Sequence, residues 1–284
     1  MKKIKIKAPA KINLTLDILG ANEGYHEIKS LVASIDLSDT IILNKRKDTR
    51  VTLTTDGLKM DCDAVDNNAY KACRAFVEKY STLGADIKLK KAIPIGAGLG
   101  GSSADIAGVL RGMKELYETG ENLLSIANSL GSDSGYMLSG GYATISGRGE
   151  KIAKKEFTAP IYVLIITGEK PVSARASYKA FDKLDKTYKP CTLPAERALK
   201  DGDLDRLFGI MKNDLTAGSQ TIDTCIKGNI YALKKAGAPV AIMTGSGSAV
   251  FGAFSSKKER DKAYKKLLPL FGNKLIKAKT TEQI

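Results

Sequence analysis

Only one histidine, His26, occurs among the 284 residues, which leaves serine–histidine acyl-enzyme chemistry little to build on. The four cysteines, Cys62, Cys73, Cys191 and Cys225, lie far apart with no CxxC spacing and no secretory signal ahead of them. Reduced thiols packed as small hydrophobes, and a cytoplasmic setting, are the expectation. Long apolar runs are missing as well. The start, MKKIKIKAPAKINL, alternates isoleucine with lysine, so it reads as neither signal peptide nor membrane anchor, and no later stretch could span a bilayer. Internal repeats, low-complexity tracts and long Pro/Ser linkers are absent. So are the GxxxxGK[ST] of a P-loop, a GxGxxG with an acidic residue placed for a dinucleotide, and the HRD and DFG of protein kinases.

What the chain has is core-forming capacity and positive charge. Hydrophobic residues make up 43% of it, and its length fits two ordinary domains. Lysine and arginine outnumber aspartate and glutamate by 45 to 31, a formal charge of +14, which raises the question of polyanionic partners. The main clusters, Lys2–Lys11, Lys45–Lys47 and Lys257–Lys266, are spread over both halves and none is interleaved with aromatics. A single-strand nucleic-acid platform is therefore not indicated, and a solvated surface accounts for most of the lysines.

Alternation predicts strands at Lys3–Lys7 and at Ile12–Ile18, the latter with Ile12, Leu14, Leu16 and Ile18 on one face. Lys11, Asn13, Thr15 and Asp17 then point the other way. Further strands are expected at Leu31–Ile35, Thr40–Leu43, Val51–Thr54, Ile87–Lys91 and Tyr142–Ser146, and helices at Asn68–Tyr80, Ser102–Tyr117 and Asn122–Leu130. Past about Phe157 the pattern restarts with a strand at Ile161–Ile166. Helices near Ala174–Leu184, Leu204–Met211 and Thr224–Ala236 follow, then strands Val240–Met243 and Ala249–Phe254, helix Lys257–Leu268 and strand Leu275–Lys279. This half reads as an α+β sandwich.

The segment Pro94–Ala107, PIGAGLGGSSADIA, sets Gly96, Gly98, Gly100 and Gly101 ahead of Ser102, Ser103 and an amphipathic helix. Residues without side chains let backbone amides approach phosphate oxygens, and the helix N-terminus adds partial positive charge. Ala104, Ala107, Leu110, Met113 and Tyr117 share one face of that helix and would pin it to a core. The same composition also serves a plain tight turn before a helix, and no GxSxG elbow surrounds either serine. The order of residues is more telling. PxxxGLGxSSA resembles the phosphate-binding motif of the GHMP kinases, the family of galactokinase, homoserine kinase and mevalonate kinase. The resemblance implies that Pro94, Gly96, Gly98, Leu99, Gly100, Gly101, Ser102 and Ser103 wrap the phosphates of ATP, with Ser103 close to Mg²⁺.

Three more segments carry the resemblance. APAKINLTLDILG (Ala8–Gly20) is similar to the family's first motif, and its continuation EGYHEI (Glu23–Ile28) to the DGYH element of members acting on 4-diphosphocytidyl-2-C-methyl-D-erythritol. The resemblance puts Lys11 and Asn13 beside the acceptor hydroxyl, and Tyr25 and His26 at the cytosine. LGSDSGYMLSGGYATISGRGE (Leu130–Glu150) resembles LGxDVPFxLxGGxAxxxGxGE, which gives Asp133 the role of catalytic base. A carboxylate can accept the hydroxyl proton while a lysine ammonium neutralises charge on the transferring phosphoryl group. Ser134-Gly135-Tyr136 departs from the family's Val-Pro-Phe, which bears on the pocket wall. MTGSGSAVFGAF (Met243–Phe254) resembles SGSGPTVFG, with Ser248-Ala249 for Pro-Thr, and would bring Gly245, Ser246 and Gly247 over the site. KPVSARASYKAF (Lys170–Phe181) resembles VSTxxVY and makes Tyr178 the ring that stacks on the base.

The family resemblance spans Ala8–Phe254 and implies an α+β, two-domain GHMP kinase fold. An N-terminal left-handed βαβ-type domain (residues 1–156) binds ATP, and a ferredoxin-like C-terminal domain (157–284) closes the cleft. The implied activity is phosphorylation of the diphosphocytidyl alcohol in non-mevalonate isoprenoid precursor synthesis, with a small-molecule substrate, no membrane, no evident need for nucleic acid, and a monomer or homodimer. Two alternatives stay open at this level: a GHMP kinase for another small alcohol, and a noncatalytic or RNA-binding protein built on the same fold.

Overall fold

A computed structural model describes residues 2–22, 25–60, 62–119, 122–157, 159–184 and 189–282. Glu23 and Gly24 of the EGYHEI segment lie outside the described residues. The first half runs β1 (Lys3–Asn13), β2 (Asp17–Asn22), β3 (Tyr25–Lys45), β4 (Thr52–Gly57), α1 (Asn68–Tyr80), β5 (Ala85–Lys91), α2 (Gly101–Tyr117), α3 (Leu124–Leu130), α4 (Ser134–Met137), β6 (Tyr142–Gly147) and β7 (Lys151–Lys155). The second runs β8 (Tyr162–Ile166), α5 (Ala174–Phe181), α6 (Thr192–Lys200), α7 (Leu204–Ile210), α8 (Thr216–Ile222), α9 (Cys225–Ala236), β9 (Val240–Met243), β10 (Val250–Phe254), α10 (Lys257–Phe271) and β11 (Leu275–Lys279).

Two sheets organise these elements. The seven-stranded sheet follows β4-β5-β3-β6-β7, with β1 and β2 both pairing β3, and β4 and β5 run parallel through the crossover α1. The four-stranded sheet is antiparallel in the order β11-β8-β10-β9. Its chain order is the βαββαβ of a ferredoxin-like fold, with helices α5 to α9 enlarging the first crossover.

Several expected elements merge or break. Leu31–Ile35 and Thr40–Leu43 are parts of one strand, the 21-residue β3, which pairs β1, β2, β5 and β6 in turn. Ile12–Ile18 is not one strand: β1 ends at Asn13 and β2 begins at Asp17, with Leu14 and Thr15 turning onto the Leu31 carbonyl. The alternation of that stretch is present, but its polar face is also buried, Lys11 at 5% exposure and Asn13 at 2%. It looks into the space between the sheets rather than to solvent. Strand β7 and helices α6 and α8 carry periodicity too short or too polar to read.

Helix α2 matters most for the site. Asn67 caps its neighbour α1 by accepting from the Ala69 amide at 2.8 Å. Ala104, Ala107, Leu110 and Met113 of α2 are fully buried, while Tyr117 is partly buried and donates its hydroxyl to the Gly84 carbonyl at 2.6 Å. Each large apolar side chain buried this way contributes roughly 1.5–3 kcal/mol, so the helix and the loop at its N-terminus are held on a rigid support.

A candidate active site between the two sheets

The glycine loop runs over residues 94–100 into α2, whose N-terminal residue Gly100 offers no side-chain cap, leaving the first-turn amides to an anion. Two glycines are sterically required. Gly98 has φ +79°, and a Cβ there would lie 2.2 Å from the Thr244 carbonyl oxygen; Gly100 has φ +73°, and its Cβ would press on the side chains of Met137 and Lys11. The loop is pinned from both halves of the chain. The Lys11 amide donates to Leu99 O at 3.0 Å, the Ala249 amide to Ala97 O at 3.2 Å, and Thr244 Oγ1 to Gly98 O at 3.3 Å.

A cavity of about 330 Å³ lies on one side of the loop, lined by Pro94 to Ser103 together with Asn67, Asn68 and Lys91. A second, of about 910 Å³, lies on the other side, and Gly98 and Gly100 line both. The floor of the larger one holds the pair expected from the sequence. Lys11 Nζ is 3.3 Å from Asp133 Oδ2, with side-chain exposures of 6% and 24%. Asn13 fixes the ammonium: its Oδ1 accepts from Lys11 Nζ at 2.7 Å and from the Gly245 amide at 2.9 Å, while its Nδ2 donates to Ser30 Oγ at 2.8 Å. Thr244 and Gly245 reach this point because Asn213 Nδ2 donates to the carbonyls of Met243 and Gly245, both at 2.9 Å. The third glycine segment, with Gly245 and Ser246 on the cavity wall, thus bridges Asn13 and the Gly98 loop.

The larger cavity is also lined by Tyr25, His26 and Tyr178. The rings of His26 and Tyr178 stack at 4.7 Å with 17° between planes, and His26 Nε2 lies 2.8 Å from Asp182 Oδ1. Burial, and secondarily the charge of Asp133, pushes the Tyr178 phenol up to about 12, so it is a neutral ring at working pH. A basic floor, a carboxylate and an aromatic end joined by one cavity across a phosphate-type loop describe a small-molecule phosphotransferase.

Comparison with known proteins agrees. Residues 67–148 match the GHMP kinases N-terminal domain and residues 195–273 the GHMP kinases C-terminal domain. The 4-diphosphocytidyl-2-C-methyl-D-erythritol kinase of Caldicellulosiruptor bescii is 33% identical over 98% of this chain and 99% of its own, and that of Alkaliphilus metalliredigens 32% over 95% and 94%. The chain belongs to this kinase family. A solved 4-(cytidine 5'-diphospho)-2C-methyl-D-erythritol kinase superposes with a TM-score of 0.82 at 26% identity, covering 98% of this chain and 99% of that one. The homoserine kinase of Cytophaga hutchinsonii, at 20% identity over 100% of this chain and 96% of its own, shares the fold with a TM-score of 0.76.

The kinase's departure at Ser134-Gly135-Tyr136 does not reach the larger cavity. These residues form α4, which Asp133 precedes, and Tyr136 points inward, 1% exposed, its hydroxyl donating to Gly141 O at 2.6 Å beside Ser34 Oγ. None of these three lines the cavity, whereas Ser132 and Asp133 immediately before them do.

Under the glycine loop the structure assembles three charges that no local spacing connects. Lys91 Nζ donates to Asp39 and, at 2.7 Å, to Asp105 Oδ2, all three side chains being at most 3% exposed. Asp39 also accepts from the Ala92 and Ile93 amides at 2.6 and 2.9 Å, fixing the entry to the loop. Asp105 Oδ1 has no partner, and burial raises its carboxyl to about 7 against the pull of Lys91. Arg148, Arg175, Lys179 and Asp182 line the larger cavity and were not singled out by the sequence. Arg148 sits inside the quoted Gly-Arg-Gly-Glu run, and Lys179 directly follows Tyr178, so position within the motifs was the available signal. Among the described residues no helix is long and apolar enough to cross a membrane.

Proposed function

We propose that this kinase transfers the γ-phosphoryl group of ATP to the 2-hydroxyl of 4-diphosphocytidyl-2-C-methyl-D-erythritol, giving the 2-phosphate and ADP. The observation that carries the reading is the Lys11–Asp133 contact on the floor of one cavity, at the glycine loop that also bounds the other. The smaller cavity then takes ATP and the larger one the acceptor. Asp133 accepts the hydroxyl proton as the new oxygen–phosphorus bond forms and the bond to the β-phosphate oxygen breaks. Lys11, oriented by Asn13, offsets negative charge on the moving phosphoryl group. Amides of Gly98 to Ser103 and the α2 N-terminus hold the phosphates, and Gly245, Ser246 and Gly247 close over them. Tyr25, His26 and Tyr178 receive the cytosine, an assignment supported by the substrate for which the relatives are named.

Magnesium fits this donor set in a limited way. Among the described residues no three His, Cys, Asp or Glu side chains gather as a metal cage. The hydroxyl of Ser103, on the wall of the smaller cavity, and the Asp133 carboxylate are hard oxygen donors. A magnesium ion held by one such group would complete its shell with phosphate oxygens and water, its common mode at nucleotide sites. When bound it supplies charge neutralisation between the outer phosphates.

Incubation of the protein with ATP, Mg²⁺ and the diphosphocytidyl alcohol, followed by phosphorus NMR, tests the reading. A new phosphomonoester and ADP in equal amounts are expected, with CDP competing for the acceptor site. Turnover of a different alcohol, untouched by CDP, would replace this acceptor with that one.

A further inference from the structure

Lys3, Lys5 and Lys7 of β1 line neither cavity of the candidate active site, and the fold gathers them with a second set of lysines. Lys88 and Lys90 alternate along β5 in the same way, and β1 and β5 pair one stretch of β3 from opposite sides. In that register Lys7, Thr40 and Lys90 form one rung and Lys5, Ile42 and Lys88 the next, with Asp56 and Thr54 of β4 beyond them. Alternation turns Ile4, Ile41, Leu43, Ile87 and Leu89 into the core, so the five lysines emerge together on the outer face of the seven-stranded sheet, where each is exposed.

A cavity of about 470 Å³ on this face is lined by Lys5, Lys7, Lys88 and Lys90 together with the hydroxyl-bearing Ser38 and Thr40. It is a trough. Strands β1 and β5 flank β3, which sets the two lysine-bearing banks roughly 10 Å apart, across a floor of half-buried Thr40 and Ile42. Lys5, Lys88 and Lys90 make no ion pair among the described residues, and Lys7 Nζ donates to the Thr40 hydroxyl at 3.1 Å. The acid on the trough wall, Asp56, accepts from the Gly57 amide at 2.8 Å, and Asp86 on the following rung is held by Arg46 and Thr52. Four cations facing one carboxylate, with neighbours on a bank about 7 Å apart, stand within roughly one Debye length of each other and repel. A polyanion relieves that repulsion and is drawn in by the field.

Shape and composition select the polyanion. Lys3 continues the β1 row past the cavity, so the charge forms a line and not a point for a small anion. No residue lining the trough is aromatic, so it offers no platform for the stacked bases of a single strand. Its large apolar residue, Ile42, is half-buried in the floor, which leaves nothing to enter a bilayer. An extended acidic polypeptide presents a side chain to one face every ~7 Å, whereas a nucleic-acid strand carries a phosphate every ~3.4 Å of its axis, and the paired banks match the denser charge. We propose that this lysine trough docks the phosphodiester backbone of double-stranded nucleic acid without reading its sequence. The trough shares no lining residue with the two cavities of the candidate active site, so docking and phosphoryl transfer are separable.

The test is fluorescence anisotropy of a labelled, mixed-sequence DNA duplex titrated with the full-length protein over a range of salt. The wild type is expected to bind with a Kd of roughly 10⁻⁴ to 10⁻⁶ M at physiological salt, and log K should fall against log salt with a slope of about −3.6, 0.9 for each of the four lysines. Lys5→Gln/Lys88→Gln, one lysine from each bank, should reduce the slope to about −1.8 and weaken binding about 10-fold to 100-fold at 0.1 M salt. Its melting temperature and kinase turnover should match the wild type, since both side chains are exposed and neither lines the candidate active site. Lys258→Gln/Lys262→Gln removes the same charge from the exposed face of α10 and should leave duplex affinity and slope unchanged. Equal weakening by the two pairs overturns the proposal, because net charge and not the trough would then hold the duplex. A wild type without salt-dependent duplex binding overturns it too. If the trough variant instead keeps the duplex but loses phosphatidylserine vesicles that the wild type holds, the face is a membrane contact and the proposal falls.

Discussion

Lys11 Nζ stands 3.3 Å from Asp133 Oδ2 and 2.7 Å from Asn13 Oδ1, so one ammonium is shared between a carboxylate from the turn before α4 and an amide from its own strand. The same amide oxygen takes the Gly245 N–H from the β9–β10 segment. Three distant parts of the chain thus meet at the Lys11–Asn13 pair.

Loss of the Asp133 carboxylate is the most direct test of the mechanism. Asp133→Ala should lower kcat by roughly 10²-fold to 10⁴-fold, the range for removal of a general base. ATP affinity, measured by calorimetry, should change little because the phosphate loop is untouched. Normal turnover would remove Asp133 from the mechanism.

The loop geometry makes a steric prediction. Gly98→Ala places a methyl group 2.2 Å from the Thr244 carbonyl oxygen at a φ of +79°. The variant should lose more than about 1 kcal/mol of stability, read as a lower melting temperature, and ATP binding should weaken as the two glycine segments are forced apart. A fully stable variant with unchanged ATP affinity would mean the loop tolerates the displacement.

At the base end the ring, and not the hydroxyl, should matter. The Tyr178 phenol is pushed up to about 12 and stays protonated. Tyr178→Phe is expected to keep the acceptor KM near that of the wild type. Tyr178→Ala should raise it by about 5-fold to 150-fold, as stacking of one base contributes roughly 1–3 kcal/mol. Equal effects of the two substitutions would transfer the role to the hydroxyl.

Asp105 should leave a mark on the pH dependence of stability. Its folded-state carboxyl is raised from 3.8 to about 7, so the folded protein binds a proton there that the unfolded chain has released. The stability associated with that proton is complete below about pH 4 and is lost as pH rises through about 7. Asp105→Asn stays neutral throughout, so its melting temperature relative to the wild type should climb between pH 4 and pH 7 and level off above. A difference that falls with pH would show that Asp105 is held charged by Lys91.

Much of this was legible in the residues because it is local. Asn68–Tyr80 reads as a helix from its 3.6-residue apolar spacing and forms one over those residues, and the α2 face Ala104, Ala107, Leu110, Met113 is buried as its spacing requires. The glycine loop announces itself because closely approaching backbone demands glycine at fixed positions. By contrast, β3 reads as two strands, since its 21 residues pair four different partners and each stretch has its own face buried. Lys91, Asp39 and Asp105 are three unremarked charges until the fold removes water from all of them together.

The amino-acid order alone showed the kinase family and singled out the glycine loop and Lys11, Asn13 and Asp133, since each depends on residue types at short, fixed spacing. Tertiary structure decided which of the many cations line the larger cavity, where Ser134-Gly135-Tyr136 points, and how Asn13 yokes Lys11 to Gly245. Those are properties of side chains brought together through space from separate strands and helices, and no local spacing encodes them.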